Sequence, residues 1–77
     1  MKFNRFEDLW CYSEKIASEE DISSEEAIEK VCSAIRDKKY GEAMYYLSLI
    51  SYRNNINIFI ELQKSVTDNF VARQEDD

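Results

Sequence analysis

The chain has no proline, no histidine, a single glycine (Gly41) and two cysteines (Cys11 and Cys32) in 77 residues. Without proline and glycine it lacks the turn punctuation that small all-β domains and phosphate-cradling loops depend on, so helices are the default. Two cysteines are too few for a disulfide scaffold, and without histidine they cannot complete a four-ligand zinc site of the usual kinds. The missing imidazole also leaves Cys11 with no base to activate it as a nucleophile. No apolar run approaches the roughly 18 residues needed to span a bilayer. MKFNRFEDLW carries charge where a signal peptide would carry its hydrophobic stretch, so the expectation is a cytoplasmic protein without membrane association.

What is present is enough to fold. Apolar residues make up 44% of the chain and aromatics 13%, well above a disordered composition. One core of this size leaves only about 3–5 kcal/mol once conformational entropy is subtracted, so self-association or a bound partner is an expected stabiliser. Residues 1–72 read as a single helical domain and residues 73–77 as an acidic, frayed tail. Sixteen acids face ten bases, for a net charge of −6, and the excess is local: Glu19, Glu20, Asp21, Glu25, Glu26 and Glu29 follow one another without a base. Such a field repels phosphate backbones and attracts basic surfaces, which argues against direct nucleic-acid binding and for a basic protein partner. Part of the run also suits a helix start, where the macrodipole favours carboxylates.

Periodicity predicts an all-α fold, a small bundle of three to four helices. Asn4 followed by Glu7 fits a capping box and opens a first helix reaching about Ser18, with a stripe of Phe6, Leu9, Trp10, Ile16 and Ala17. Ser23 and Glu26 form a second box, with Ile22 able to staple onto Ala27. Helix two then runs to about Asp37 on a core face of Ile28, Val31, Cys32 and Ile35, with Cys32 packed and Cys11 partly exposed. Gly41, near the start of helix three, suggests tight packing or a slightly later boundary. Asn54 and Asn55 mark a break. Ile56 to about Ala72 reads as a fourth helix with Phe59, Ile60, Val66 and Phe70 on one side, although residues 56–62 also alternate with the period of a strand.

Tyr40 to Tyr52 is the most informative segment, because its apolar side chains cover two faces of a helix. Tyr40, Ala43, Met44, Leu47 and Ile50 form one face; Tyr45, Leu49 and Tyr52 form the other. Either this helix is the enclosed centre of the bundle, or its tyrosine-rich second face meets a partner.

Nothing in the chain assembles a reaction centre. The acids cluster where no apolar surroundings would raise a carboxyl for general acid work, and their spacing lacks the glycine turn of a calcium loop. The protein is therefore expected not to be an enzyme and to need neither metal nor cofactor. Lys39-Tyr40-Gly41-Glu42-Ala43 with Leu47 and Ile50 resembles the second helix of a tetratricopeptide repeat, which a single hairpin cannot stack into an array. Asp21-Ile22-Ser23-Ser24-Glu25-Glu26 followed by Glu42-Ala43-Met44-Tyr45-Tyr46 resembles the immunity proteins that neutralise nuclease bacteriocins, with Leu47 standing where that family has a proline. The resemblance implies that Glu25, Glu26 and Glu29 steer a basic nuclease and that Tyr45 and Tyr46 anchor it.

The expected function is that of a small acidic protein-binding module. It would act as a stoichiometric inhibitor or adaptor covering a basic, nucleic-acid-binding or nuclease surface, as an immunity protein or a phage-type charge mimic does. The candidate contact residues are Tyr45, Tyr46, Leu49 and Tyr52 for affinity, with Glu19, Glu20, Asp21, Glu25, Glu26 and Glu29 for steering. The alternatives are a homo-oligomer that buries the second face of helix three against itself, or an oligomer sequestering a small ligand around Arg53, Asn54 and Asn55.

Overall fold

The computed structural model describes residues 3–75 and is a small all-α bundle. Its helices are α1 (Phe6–Ala17), α2 (Ser24–Arg36), α3 (Tyr40–Arg53) and α4 (Ile58–Glu75). There is no strand among the described residues, so residues 58–62 are helical. Helix α4 carries residues 73–75 of the expected frayed tail, while Asp76 and Asp77 lie outside the described residues.

Local chemistry sets the boundaries. Ser23 sits in extended backbone and its Oγ accepts from the Glu26 backbone N–H at 3.0 Å, satisfying one of the orphan donors at the start of α2. The expected Asn4 box does not form. The chain turns into α1 one residue later, at Arg5, which caps nothing and instead reaches Asp8 at 3.4 Å. Helices α2 and α3 both end in left-handed residues, Lys38 (φ 63°) and Asn55 (φ 53°). At the first, Lys39 N–H donates to Ala34 O and Lys38 N–H to Ile35 O; at the second, Ile56 N–H donates to Ser51 O and Asn55 N–H to Tyr52 O. Both are Schellman caps. Asn57 then opens α4 by accepting from the Phe59 and Ile60 backbone N–H groups at 3.1 and 3.3 Å, two residues later than the predicted start at Ile56.

Helix α3 is the centre, with α1 and α2 both packed on it. The interior is made mostly of small side chains: Ala17, Ala27, Ala34, Ala43, Ser48 and Ser51 are buried, and only Trp10 and Leu49 bring bulk inside. Ile22, Tyr45, Tyr46 and Ile50 close over the enclosed cluster of Ala17, Ala27 and Leu49. This corrects the predicted faces. Helix α2 meets α3 through the line of Ala27, Val31 and Ala34, while Ile28 and Ile35 are half exposed and Cys32, like Cys11, is exposed. Alanines at a crossing let two helix axes approach closely, and a larger aliphatic side chain is then left to the flank. Phe6, Leu9, Ile16, Tyr40, Met44 and Leu47 are likewise exposed. Gly41 has open space around it, so tight packing is not its role.

The buried hydroxyls are partnered, as buried polar groups must be. Ser13 and Ser48 share a hydrogen bond at 2.7 Å, Ser48 also donates to Tyr45 O, and Ser51 Oγ donates to Ile56 O at 2.9 Å. That last bond, with its reciprocal from Ile56 N–H to Ser51 O, fixes the start of α4 to α3. Phe59 adds an edge-on contact to Phe6, with ring centroids 6.1 Å apart. Beyond this first turn α4 projects from the bundle, and every residue from Phe59 to Gln74 is exposed. The molecule is consequently elongated, 47 × 29 × 24 Å.

Candidate protein-interaction surface

The α1–α2 loop and the first turns of α2 gather the predicted acids at one end of the bundle. Glu19, Asp21, Glu25, Glu26 and Glu29 are exposed and Glu20 is half-buried. Among the described residues the ion pair is Arg5–Asp8, so none of the six is neutralised by a salt bridge. Arg36, Lys38 and Lys39 occupy the opposite end of α2, about 20 Å away at the helical rise of 13 residues. The acids outnumber the bases at this end, where Lys30 and Arg53 are the nearby cations.

The tyrosines lie beside this end and are tied into the fold. Tyr45 is half-buried and its hydroxyl donates to Glu20 Oε1 at 3.0 Å. Burial pushes its pKa above the ordinary tyrosine value, and the bond to Glu20 and that residue's charge push in the same direction. Arg53 Nη2 donates to Glu20 O at 3.2 Å, so α3 holds the acidic loop at two points. Tyr46 meets the Tyr45 ring edge-on at 5.2 Å and lies under the Lys30 ammonium, 5.5 Å from its centroid. Tyr52 is exposed. Leu49 is not at the surface: it is 0% exposed and forms the bulk of the core, so it cannot serve as a contact residue. The spacing of Tyr45, Leu49 and Tyr52 on one helical stripe does not separate a core position from its rim.

Two of the three residues suggested for a small-ligand pocket are engaged locally. Arg53 holds the loop, and Asn54 Nδ2 donates to Ile50 O at 2.8 Å. Asn55 borders a cavity of ≈260 Å³ with Trp10, Glu14 and the Ile56–Phe59 segment. Burial raises the Glu14 carboxyl above its ordinary value. The Trp10 Nε1–H is itself buried with no hydrogen-bond partner among the described residues. A second groove of ≈290 Å³, lined mainly by Phe6, Leu9, Trp10, Met44 and Tyr45, separates α1 from α3. No three His, Cys, Asp or Glu side chains converge as metal ligands among the described residues, and no helix there is long and apolar enough to cross a membrane.

The apolar side chains Phe59, Ile60, Val66 and Phe70, which the pattern sets on a fourth helix, lie outside the core. A helix stripe reads the same whether it packs within the chain or against another molecule. Neither a family model, nor a curated protein, nor a solved structure matches this chain.

Proposed function

We propose that this protein is a binding module that covers a basic surface of another protein, as a stoichiometric inhibitor or adaptor, in the manner of an immunity protein or a phage-type charge mimic. The observation that carries the reading is the exposed carboxylates Glu19, Asp21, Glu25, Glu26 and Glu29 at one end of the body, none of them in a salt bridge among the described residues, beside a loop that α3 holds at Glu20 through Tyr45 and Arg53. Charges fixed on a rigid surface steer association with an oppositely charged partner and reject a phosphate backbone. Tyr52 and the accessible portion of Tyr46 supply aromatic area on α3, the kind of side chain that dominates interface energetics. Catalysis plays no part in this reading. Self-assembly through the second face of α3 is the weaker alternative, because its central side chain, Leu49, is enclosed.

The test compares the wild type with Glu25→Gln/Glu26→Gln/Glu29→Gln, substitutions that keep the helix and remove its charge. Affinity capture from lysate identifies the bound protein, and association rates are then measured at low and high salt. The expected result is a basic-surfaced protein whose association with the wild type slows with salt and whose association with the variant is about tenfold slower at low salt. Equal rates for the two proteins, or salt-independent association, would overturn the reading.

A further inference from the structure

We infer that the cavity between α1 and the α3–α4 turn is a binding site for an alkylguanidinium group, with Glu14 as its counter-ion and Trp10 and Phe59 as its aromatic walls. The cavity holds ≈260 Å³ and is lined chiefly by the Glu14 carboxylate, the Asn55 amide and the apolar side chains of Trp10, Ile56, Ile58 and Phe59. Trp10 and Glu14 stand four residues apart on α1, so both leave the same face of the helix. The volume lies just under the roughly 300 Å³ at which sites for drug-sized ligands begin, which suits one small head group on a short stem.

The chemistry of the lining selects a cation. Glu14 is half-buried and belongs to no salt bridge among the described residues. Burial raises its carboxyl above the ordinary value, the mark of a charge deprived of water and not offset by a cation. A cation seated beside it supplies that partner. The feature that would favour an anion is the N-terminus of α4, and it is already engaged, because Asn57 Oδ1 accepts from the Phe59 and Ile60 backbone N–H groups. Trp10 offers no donor either: its Nε1 is enclosed, so what the ring exposes is carbon. An aromatic ring beside a carboxylate holds a cation through its π system and through charge together.

Among cations the lining favours guanidinium over ammonium. Guanidinium is planar, stacks on aromatic rings and meets a carboxylate through two parallel N–H···O bonds. It is also more weakly hydrated, so it loses less on entering a half-enclosed site. The alkyl stem then lies against Ile56 and Ile58. A net charge of −6 raises the concentration of any such cation around the chain. Two sources carry the group: a free guanidino compound, or an arginine side chain of a basic protein, the second of which rests on the binding-module reading.

Trp10 is the single tryptophan of the chain, so its fluorescence reads the cavity directly. Titration of the full chain with n-butylguanidinium should give a saturable change, and n-butylurea, a neutral molecule of the same shape, should bind at least about tenfold more weakly. Glu14→Gln, with its fold checked by circular dichroism, should weaken n-butylguanidinium by about ten- to a hundredfold and bring the two ligands level. Glu25→Gln/Glu26→Gln/Glu29→Gln touches none of the lining and should leave the affinity unchanged at about 0.15 M salt, so this site and the binding-module reading fail separately. N-acetylarginine methylamide separates the sources. Affinity equal to that of n-butylguanidinium assigns the site to an arginine of a protein, and exclusion of the capped residue assigns it to a free guanidino compound. A titration that does not saturate, equal binding of n-butylurea to the wild type, or an unaltered affinity in a folded Glu14→Gln overturns the proposal.

Discussion

In the body formed by α1, α2 and α3 the small side chains are inside and many of the large ones outside, whereas α4 presents six large apolar side chains and encloses none of them. The body achieves its packing through Ala17, Ala27, Ala34 and Ala43, which bring helix axes close, with Trp10 and Leu49 as the only bulky fillers. Helix α4 has more apolar bulk per turn than α2 and, among the described residues, meets the body at its first turn through Ile58 and Phe59. Apolar content alone therefore does not decide which helix is buried. What decides it is whether two faces can approach closely enough to exclude water between them.

The comparison breaks most visibly at Leu49. Leu49→Ala should cost about 2–5 kcal/mol, on the scale of the whole stability of so small a domain, and should appear in a urea melt as a largely unfolded body. An intermediate effect is expected at Tyr45, where the fold holds the acidic loop. An unfolded tyrosine loses its proton near pH 10, before the folded Tyr45 does, because burial and then the bond to Glu20 raise the folded value. The folded state thus retains a proton that the unfolded state gives up, and stability is full below that range and falls as pH rises through it. In melts at about pH 9 and about pH 10.5, Tyr45→Phe should lose less stability between the two conditions than the wild type. An identical alkaline loss in both proteins would remove Tyr45 as its source. The smallest effect belongs to α4: Leu62→Ala should change stability by no more than about 0.5 kcal/mol. A large effect there would mean that α4 packs on the body after all.

Much of the fold is legible in the sequence, and the legible parts have local causes. Ser23 with Glu26 specifies the start of α2 through one side-chain bond, and Asn54-Asn55 specifies the end of α3 because asparagine tolerates the left-handed backbone found at Asn55. Lys38 adopts the same conformation without any local signal for it, and the turn before α3 is set by the cap geometry around it. The core faces are harder to read. Counting large apolar side chains points to Ile28 and Ile35, yet the crossing with α3 is made by Ala27 and Ala34, whose value lies in their small size. Glu25, Glu26 and Glu29 fall on α2, the three tyrosines on α3, and Glu19, Glu20 and Asp21 in the loop before α2, where the pattern sets them. Tyr45 being committed to Glu20, and Leu49 to the interior, are tertiary facts that no spacing encodes.

The alanine-lined crossing has a thermodynamic consequence. The heat capacity of unfolding grows with the apolar surface that unfolding exposes, and alanines and serines hide little of it. A body with only Trp10 and Leu49 as bulky enclosed side chains should have a shallow dependence of stability on temperature, gaining little in the cold and yielding gradually in the heat.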